Sequence, residues 1–295
     1  MTALVLAALA WATAAPMPEA RTEVAAAVVR GEIVLVGGLT VDGAPSARVD
    51  AYSPATDGWR RLPDLPTGVH HALAASDGRR LYVVGGYGNP LGGGGPTRSA
   101  YVYDNGAWHA LPRLPEPRAA GGAAVLHGKL YVLGGRALGG LARKAFALDL
   151  ATRRWQPTPA PTPREHLAVT AAAGKIYAVG GRLRGYDTNL RTFESWTPGA
   201  RGWTRLAPLP GARGGTGAAA AAGQIVSVGG EAPSGTIRTV YAFDLATRHW
   251  RRLPDLPIPR HGLGVVAVGT RVYAIGGGTQ PGLTVSDANE HIDLA

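Results

Sequence analysis

The chain has 295 residues, with 43 glycines, 23 prolines, no cysteine and a formal charge of +10. That length holds one large domain or two ordinary ones, and the missing cysteine excludes disulfides, thiolate metal sites and cysteine nucleophiles. The positive charge is nearly all arginine, with only Lys129, Lys144 and Lys175 besides. It is scattered rather than gathered in a run, and no aromatic platform stands among the basic residues, so nucleic acid is not an expected partner.

Residues 2–9 form a short Ala/Leu/Val run, too short to span a bilayer. The run ends in Ala8-Leu9-Ala10, a small-x-small pattern like a signal-peptidase site, without the charged segment that should precede it. Residues 1–10 are therefore expected to be a signal-peptide remnant or an alanine-rich strand. The first reading implies a periplasmic or secreted protein, the second a cytoplasmic one.

From residue 11 onward one pattern governs the chain. Ile33-Val34-Leu35-Val36 stops on Gly37-Gly38, and the same event recurs at Gly85-Gly86, Gly134-Gly135, Gly180-Gly181, Gly229-Gly230 and Gly276-Gly277. Successive first glycines lie about 48, 49, 46, 49 and 47 residues apart, a period that marks an array of similar units. Each repeat carries four strand-like pieces. In the first they are residues 23–29, 33–36, 48–52 and 59–62, separated by turn residues: Gly for positive φ, Pro for fixed φ, Asp for local hydrogen bonds. The first piece is rich in small residues, as in 119–126 and 216–222, which suits a crowded axis. The second is apolar at nearly every position, as expected of a strand buried on both faces. The glycine pairs would admit a close neighbour, and the expected neighbour is the tryptophan that opens each fourth strand: Trp59, Trp108, Trp155, Trp203 and Trp250. Leu/Pro segments such as Leu62-Pro63-Asp64-Leu65-Pro66 follow and break the sheet.

A double glycine, a tyrosine such as Tyr52 or Tyr103 on the third strand and a tryptophan on the fourth resemble the kelch motif, in six copies. The copies depart from it at Leu148, Trp196, Phe243 and Ile292, which stand where the tyrosine should be. The resemblance implies an all-β fold: a monomeric, six-bladed β-propeller of four-stranded antiparallel blades over residues 11–295. The sixth repeat ends without a tryptophan, while Trp11 precedes Pro18 as Trp59 precedes Pro66. The segment around Trp11 is therefore expected to be the outer strand of the last blade, closing the ring.

An arginine recurs just before the innermost strand: Arg21, Arg118, Arg164, Arg213 and Arg260, with Val69-His70-His71 in the second repeat. Two readings stand. Five guanidiniums around one channel mouth would bind an anionic partner, and in kelch domains that adapt substrates to ubiquitin ligases the matching arginines line an acidic-peptide pocket. Alternatively they pair between blades. The loops after the glycine pairs carry Tyr87, Arg136, Arg182 and Glu231 on the same face. The loop at residues 231–238 is similar to one in the sialic-acid mutarotases, which implies Glu231 as a proton shuttle and Arg238 as a carboxylate clamp, though the spacing is one residue longer. Galactose oxidase-type copper chemistry is excluded by the lack of cysteine. Glu165-His166 alone makes no zinc motif, and His70 and His71 would point to opposite faces of a strand. No metal or other cofactor is expected. The reading favoured is a non-enzymatic binding protein whose loop-bearing face, around those arginines, His70 and Glu231, takes a protein segment or an anionic saccharide. The alternative is an exported sugar mutarotase using Glu231.

Overall fold

The computed structural model describes residues 9–90 and 93–294; residues 1–8, where most of the signal-peptide reading falls, lie outside it. Six four-stranded antiparallel sheets form six blades. In the first, Ala25–Val29, Glu32–Val36, Val49–Ser53 and Gly58–Leu62 run in order from the axis outward. The last blade is built from both ends of the chain: Gly264–Val268, Arg271–Ile275 and Asn289–Asp293 are completed by Trp11–Thr13, with Trp11 opposite Ile292. No described helix is long and apolar enough to cross a membrane.

Neighbouring blades are stitched by three concentric rings of hydrogen bonds, one for each recurring sequence feature. The outermost uses tryptophan. Nε1–H of Trp59, Trp108, Trp155, Trp203 and Trp250 donates to the carbonyls of Ala15, Pro63, Pro112, Pro159 and Ala207 in the preceding connector, at 2.8 or 2.9 Å. Trp11 closes the ring by donating to Pro254 O at 2.9 Å. The middle ring uses the glycines. The second glycine of each pair donates its N–H to the residue that begins the next blade, as Gly86 does to Arg118 O and Gly277 to Arg21 O. A Cβ on Gly85 would stand 2.1 Å from that Arg118 oxygen, and Gly85 also has φ +66°, so only glycine fits. The close neighbours of the glycine pairs are thus mostly backbone carbonyls, of the next blade at first glycines such as Gly37 and Gly85 and of the same blade at second glycines such as Gly38 and Gly135, not the expected tryptophan, which lies on the outer strand.

The innermost ring surrounds the axis. His71 N–H donates to Glu23 O, Ala120 to His71 O, His166 to Ala120 O, Gly215 to His166 O and Gly262 to Gly215 O, and Val24 N–H closes the circle on Gly262 O. The six residues Glu23, His71, Ala120, His166, Gly215 and Gly262 all have left-handed backbones, with φ from 51 to 66°. This turn also explains why the first strand begins at Ala25 rather than at residue 23. Its alanine-rich equivalents let six inner strands converge around a narrow channel.

Candidate functional site

The five recurrent arginines are structural elements of the blades. Each is 0 or 1% exposed, and the guanidiniums bond inward. Arg21 donates to Gly37 O at 2.6 Å, Arg118 to Gly134 O at 2.9 Å and Arg164 to Gly180 O at 2.6 Å. Each also meets one side chain from the same third-strand position. In three blades this is a carboxylate: Arg21 to Asp50 at 2.6 Å, Arg164 to Glu194 at 2.6 Å, Arg260 to Glu290 at 2.7 Å. In two it is an aromatic face: Arg118 over Phe146 and Arg213 over Tyr241. The second blade has Val69 in place of arginine. Burial lowers the pKa of Arg118 and Arg213 to about 10, while the guanidiniums stay charged at neutral pH. None of the five lines the channel mouth, so the anionic pocket expected of them is not where they stand; nor do the guanidiniums pair between blades, since each finds its side-chain partner on the third strand of its own blade.

The cavity at that mouth holds about 370 Å3 and takes side chains from all six blades. The loops after the glycine pairs bring Tyr87, Arg136, Arg182 and Glu231 to it, and His70, Glu165 and His261 come from the residue after the arginine position. These two sets are laced by isolated bridges: His70 with Tyr87, Glu165 with Arg182, Gly214 with Glu231. The floor is formed by Glu23, His71 and His166, which line both this cavity and the channel beneath. All three are left-handed non-glycine residues, each held at a cost of about 1–3 kcal/mol, where two other blades use glycine.

The polar groups are densely paired. Arg182 donates to Glu231 Oε1 at 2.5 Å, to Glu165 Oε1 at 3.3 Å and to His166 Nε2 at 3.0 Å. Arg136 donates to Glu165 Oε2 at 3.0 Å. His261 Nδ1 lies 3.3 Å from Glu23 Oε1 and 3.7 Å from Glu231 Oε2. His71 Nε2 lies 3.2 Å from Glu23 Oε2 and 3.0 Å from His166 Nε2, and His70 Nδ1 meets His71 Nδ1 at 2.6 Å. His70 and His71 thus touch, because the left-handed turn at His71 breaks the strand alternation that would have parted them.

Burial pushes the His71 ring down to about 3 despite Glu23. Burial lowers His261 too, but Glu23 and Glu231 outweigh it and the ring is raised above its ordinary value. Burial works against the charge of Glu23, and the facing histidines outweigh it, holding the carboxyl well below its ordinary value. Glu165 is held at about 2, where contacts to His166 and Arg136 outweigh burial.

Of the residues singled out in the sequence, His70 and Glu231 line the cavity and Arg238 does not: it is exposed, beyond the small hairpin of Glu231–Ala232 and Gly235–Thr236. Glu231 has Arg182 as its partner instead. Sequence reasoning passed over Glu23, His71 and His166 as site residues. Their signal was positional: each stands two residues after the recurrent arginine position, where other repeats have Ala120, Gly215 and Gly262.

Comparison with known proteins agrees with this architecture. A family profile described as the KLHDC2/KLHL20/DRC7 Kelch-repeats domain matches residues 6–181 and 70–277. The chain belongs to the kelch-repeat family. It is 33% identical to Kelch-like protein terF of Aspergillus terreus over 186 residues, 58% of this chain and 40% of that one. It is 28% identical to Beta-scruin of Limulus polyphemus over 186 residues, 58% of this chain and 20% of that one. It is 32% identical to Kelch-like protein 35 of Mus musculus over 128 residues, 43% of this chain and 21% of that one. In each case the matched part is under half of the relative's length.

Proposed function

We propose that this kelch propeller is a binding protein that takes a segment of a partner protein on its loop-bearing face, over the cavity floored by Glu23, His71 and His166. One observation carries the reading. Among the described residues, five of the six large apolar side chains that stand exposed are on loops that follow the glycine pairs: Val41, Leu138, Leu183, Tyr186 and Leu283. Tyr186 and Leu283 line the cavity itself. Exposed apolar groups around a polar, pre-paired depression form a surface suited to a partner. The polar floor supplies specificity, since a segment that leaves those buried groups unpaired loses affinity.

The test is selection of peptides from a random phage-displayed library against the whole chain. Peptides are expected to enrich, and their binding is expected to fall in Leu138→Asp and Tyr186→Ala. Failure to enrich any peptide, or equal binding by both variants, would remove the proposal.

A second reading, an anionic-sugar mutarotase, draws on Glu231, whose carboxylate lines the cavity with Arg182 beside it. It requires acceleration of sialic-acid anomer exchange that is lost in Glu231→Gln. An unaltered exchange rate would dismiss it.

A further inference from the structure

The hydrogen bonds around the cavity floor dictate where its protons are. The Asn89 carbonyl, 3.0 Å from His70 Nε2, accepts, so that nitrogen carries the hydrogen. The neutral ring then has a bare Nδ1, and the partner at 2.6 Å, His71 Nδ1, must donate to it. This leaves His71 Nε2 bare. His166 Nε2 is bare as well, since it accepts from the Arg182 guanidinium, which has only donors. These two unprotonated nitrogens face each other at 3.0 Å, and the Glu23 carboxylate stands 3.2 Å from the first. Three lone-pair atoms converge with no hydrogen between them.

We propose that Glu23, His71 and His166 form a binding site for one divalent transition-metal ion of the zinc class, with a remaining coordination position open to the cavity. The three ligand atoms lie within 4.8 Å of one another. Two imidazole nitrogens and a carboxylate oxygen are a donor set that suits zinc and its first-row neighbours. Tetrahedral bonds of about 2.0–2.1 Å would set neighbouring ligand atoms roughly 3.3 Å apart, close to the 3.0 Å from His71 to His166 and the 3.2 Å from His71 to Glu23.

His71 has the hydrogen-bonded outer partner that metal ligands use to fix their orientation, and the other two have charged or titratable neighbours that are close without being hydrogen-bonded. His71 is held through Nδ1 by His70, which is itself anchored on the backbone. His166 Nδ1 lies 3.5 Å from Glu165 Oε1. Glu23 Oε1 faces His261. The side chains of Glu23, His71 and His166 are 11, 9 and 10% exposed, so an ion would be shielded yet reachable from the cavity. The Arg182 guanidinium competes for the His166 lone pair. On binding it would give up that one contact and keep those to Glu165 and Glu231.

The test is titration of chelator-stripped full-length protein with Zn2+, read by calorimetry, and with Co2+, read by its visible absorption. One ion per chain is expected, with a Co2+ spectrum of low coordination number. His71→Gly and His166→Gly are the informative variants: glycine already serves this left-handed position in two blades, so both should fold and both should lose the ion. His70→Gln, which removes only an outer partner, is expected to weaken affinity about 10–100-fold. Arg182→Gln is expected to tighten binding. Absence of uptake by the wild-type chain, or undiminished uptake by the two glycine variants, would overturn the site.

Discussion

Arg260 Nη1 and Glu290 Oε2 meet at 2.7 Å, with side chains 0 and 4% exposed. The equivalent pair in the third blade is Arg118 over the ring of Phe146, with no carboxylate. Breaking the first pair strands a buried charge, whereas replacing the second arginine strands none and removes two buried nitrogens, Nε and Nη2, that lack partners. Arg260→Ala should therefore cost about 3–5 kcal/mol. Arg118→Met should cost clearly less. Urea unfolding of both variants checks the order, and equal losses would contradict the distinction.

Closure of the ring rests on Trp11. Its indole is only half-buried, so it is not a full core site. Trp11→Ala removes one tertiary hydrogen bond, to Pro254, and part of an apolar contact with the core between the fifth and last blades. The expected loss is about 2–3 kcal/mol, below the 3–5 typical of a fully buried tryptophan. Thermal unfolding measures it, and a melting temperature equal to wild type would show that the closing strand contributes nothing.

Acid should loosen the same closure. Asp57 accepts from the N–H of Ala15 at 2.8 Å and from Tyr52 Oη at 2.7 Å, and these bonds, the one to Ala15 first, hold its carboxyl below the ordinary 3.8. Between the folded value and 3.8 the unfolded chain binds the extra proton. Stability from Asp57 is therefore fully present above pH 3.8 and declines as pH falls through that window. Asp57→Asn should lower the melting temperature at neutral pH and flatten its decline in the acid limb. A variant with an unchanged acid limb would refute the link.

Much of the fold was legible because its periodic features are backbone requirements. Gly37-Gly38 and its five counterparts announce positions where a neighbouring carbonyl leaves no room for Cβ. Trp11, lacking a repeat of its own, announced the shared last blade, and its register opposite Ile292 agrees. The site was less legible. Arg21, Arg118, Arg164, Arg213 and Arg260 are evenly spaced, and spacing alone does not tell a guanidinium facing the channel from one folded back on Asp50 or Phe146. Tyr87, Arg136, Arg182 and Glu231 were placed on the correct face because they follow the glycines directly. Glu23, His71 and His166 were missed because a strand-like sequence hid a left-handed turn, and that turn is what directs three side chains to one floor.

The central claim is that the partner-binding surface is the loop-side cavity and its apolar rim, while the recurrent arginines serve the fold. The most direct measurement is the affinity of one library-selected peptide for the wild-type chain, Leu138→Asp and Arg118→Met, each confirmed folded. The account predicts that Leu138→Asp loses most of the binding and Arg118→Met keeps it. Retained binding in Leu138→Asp together with loss in Arg118→Met would contradict it.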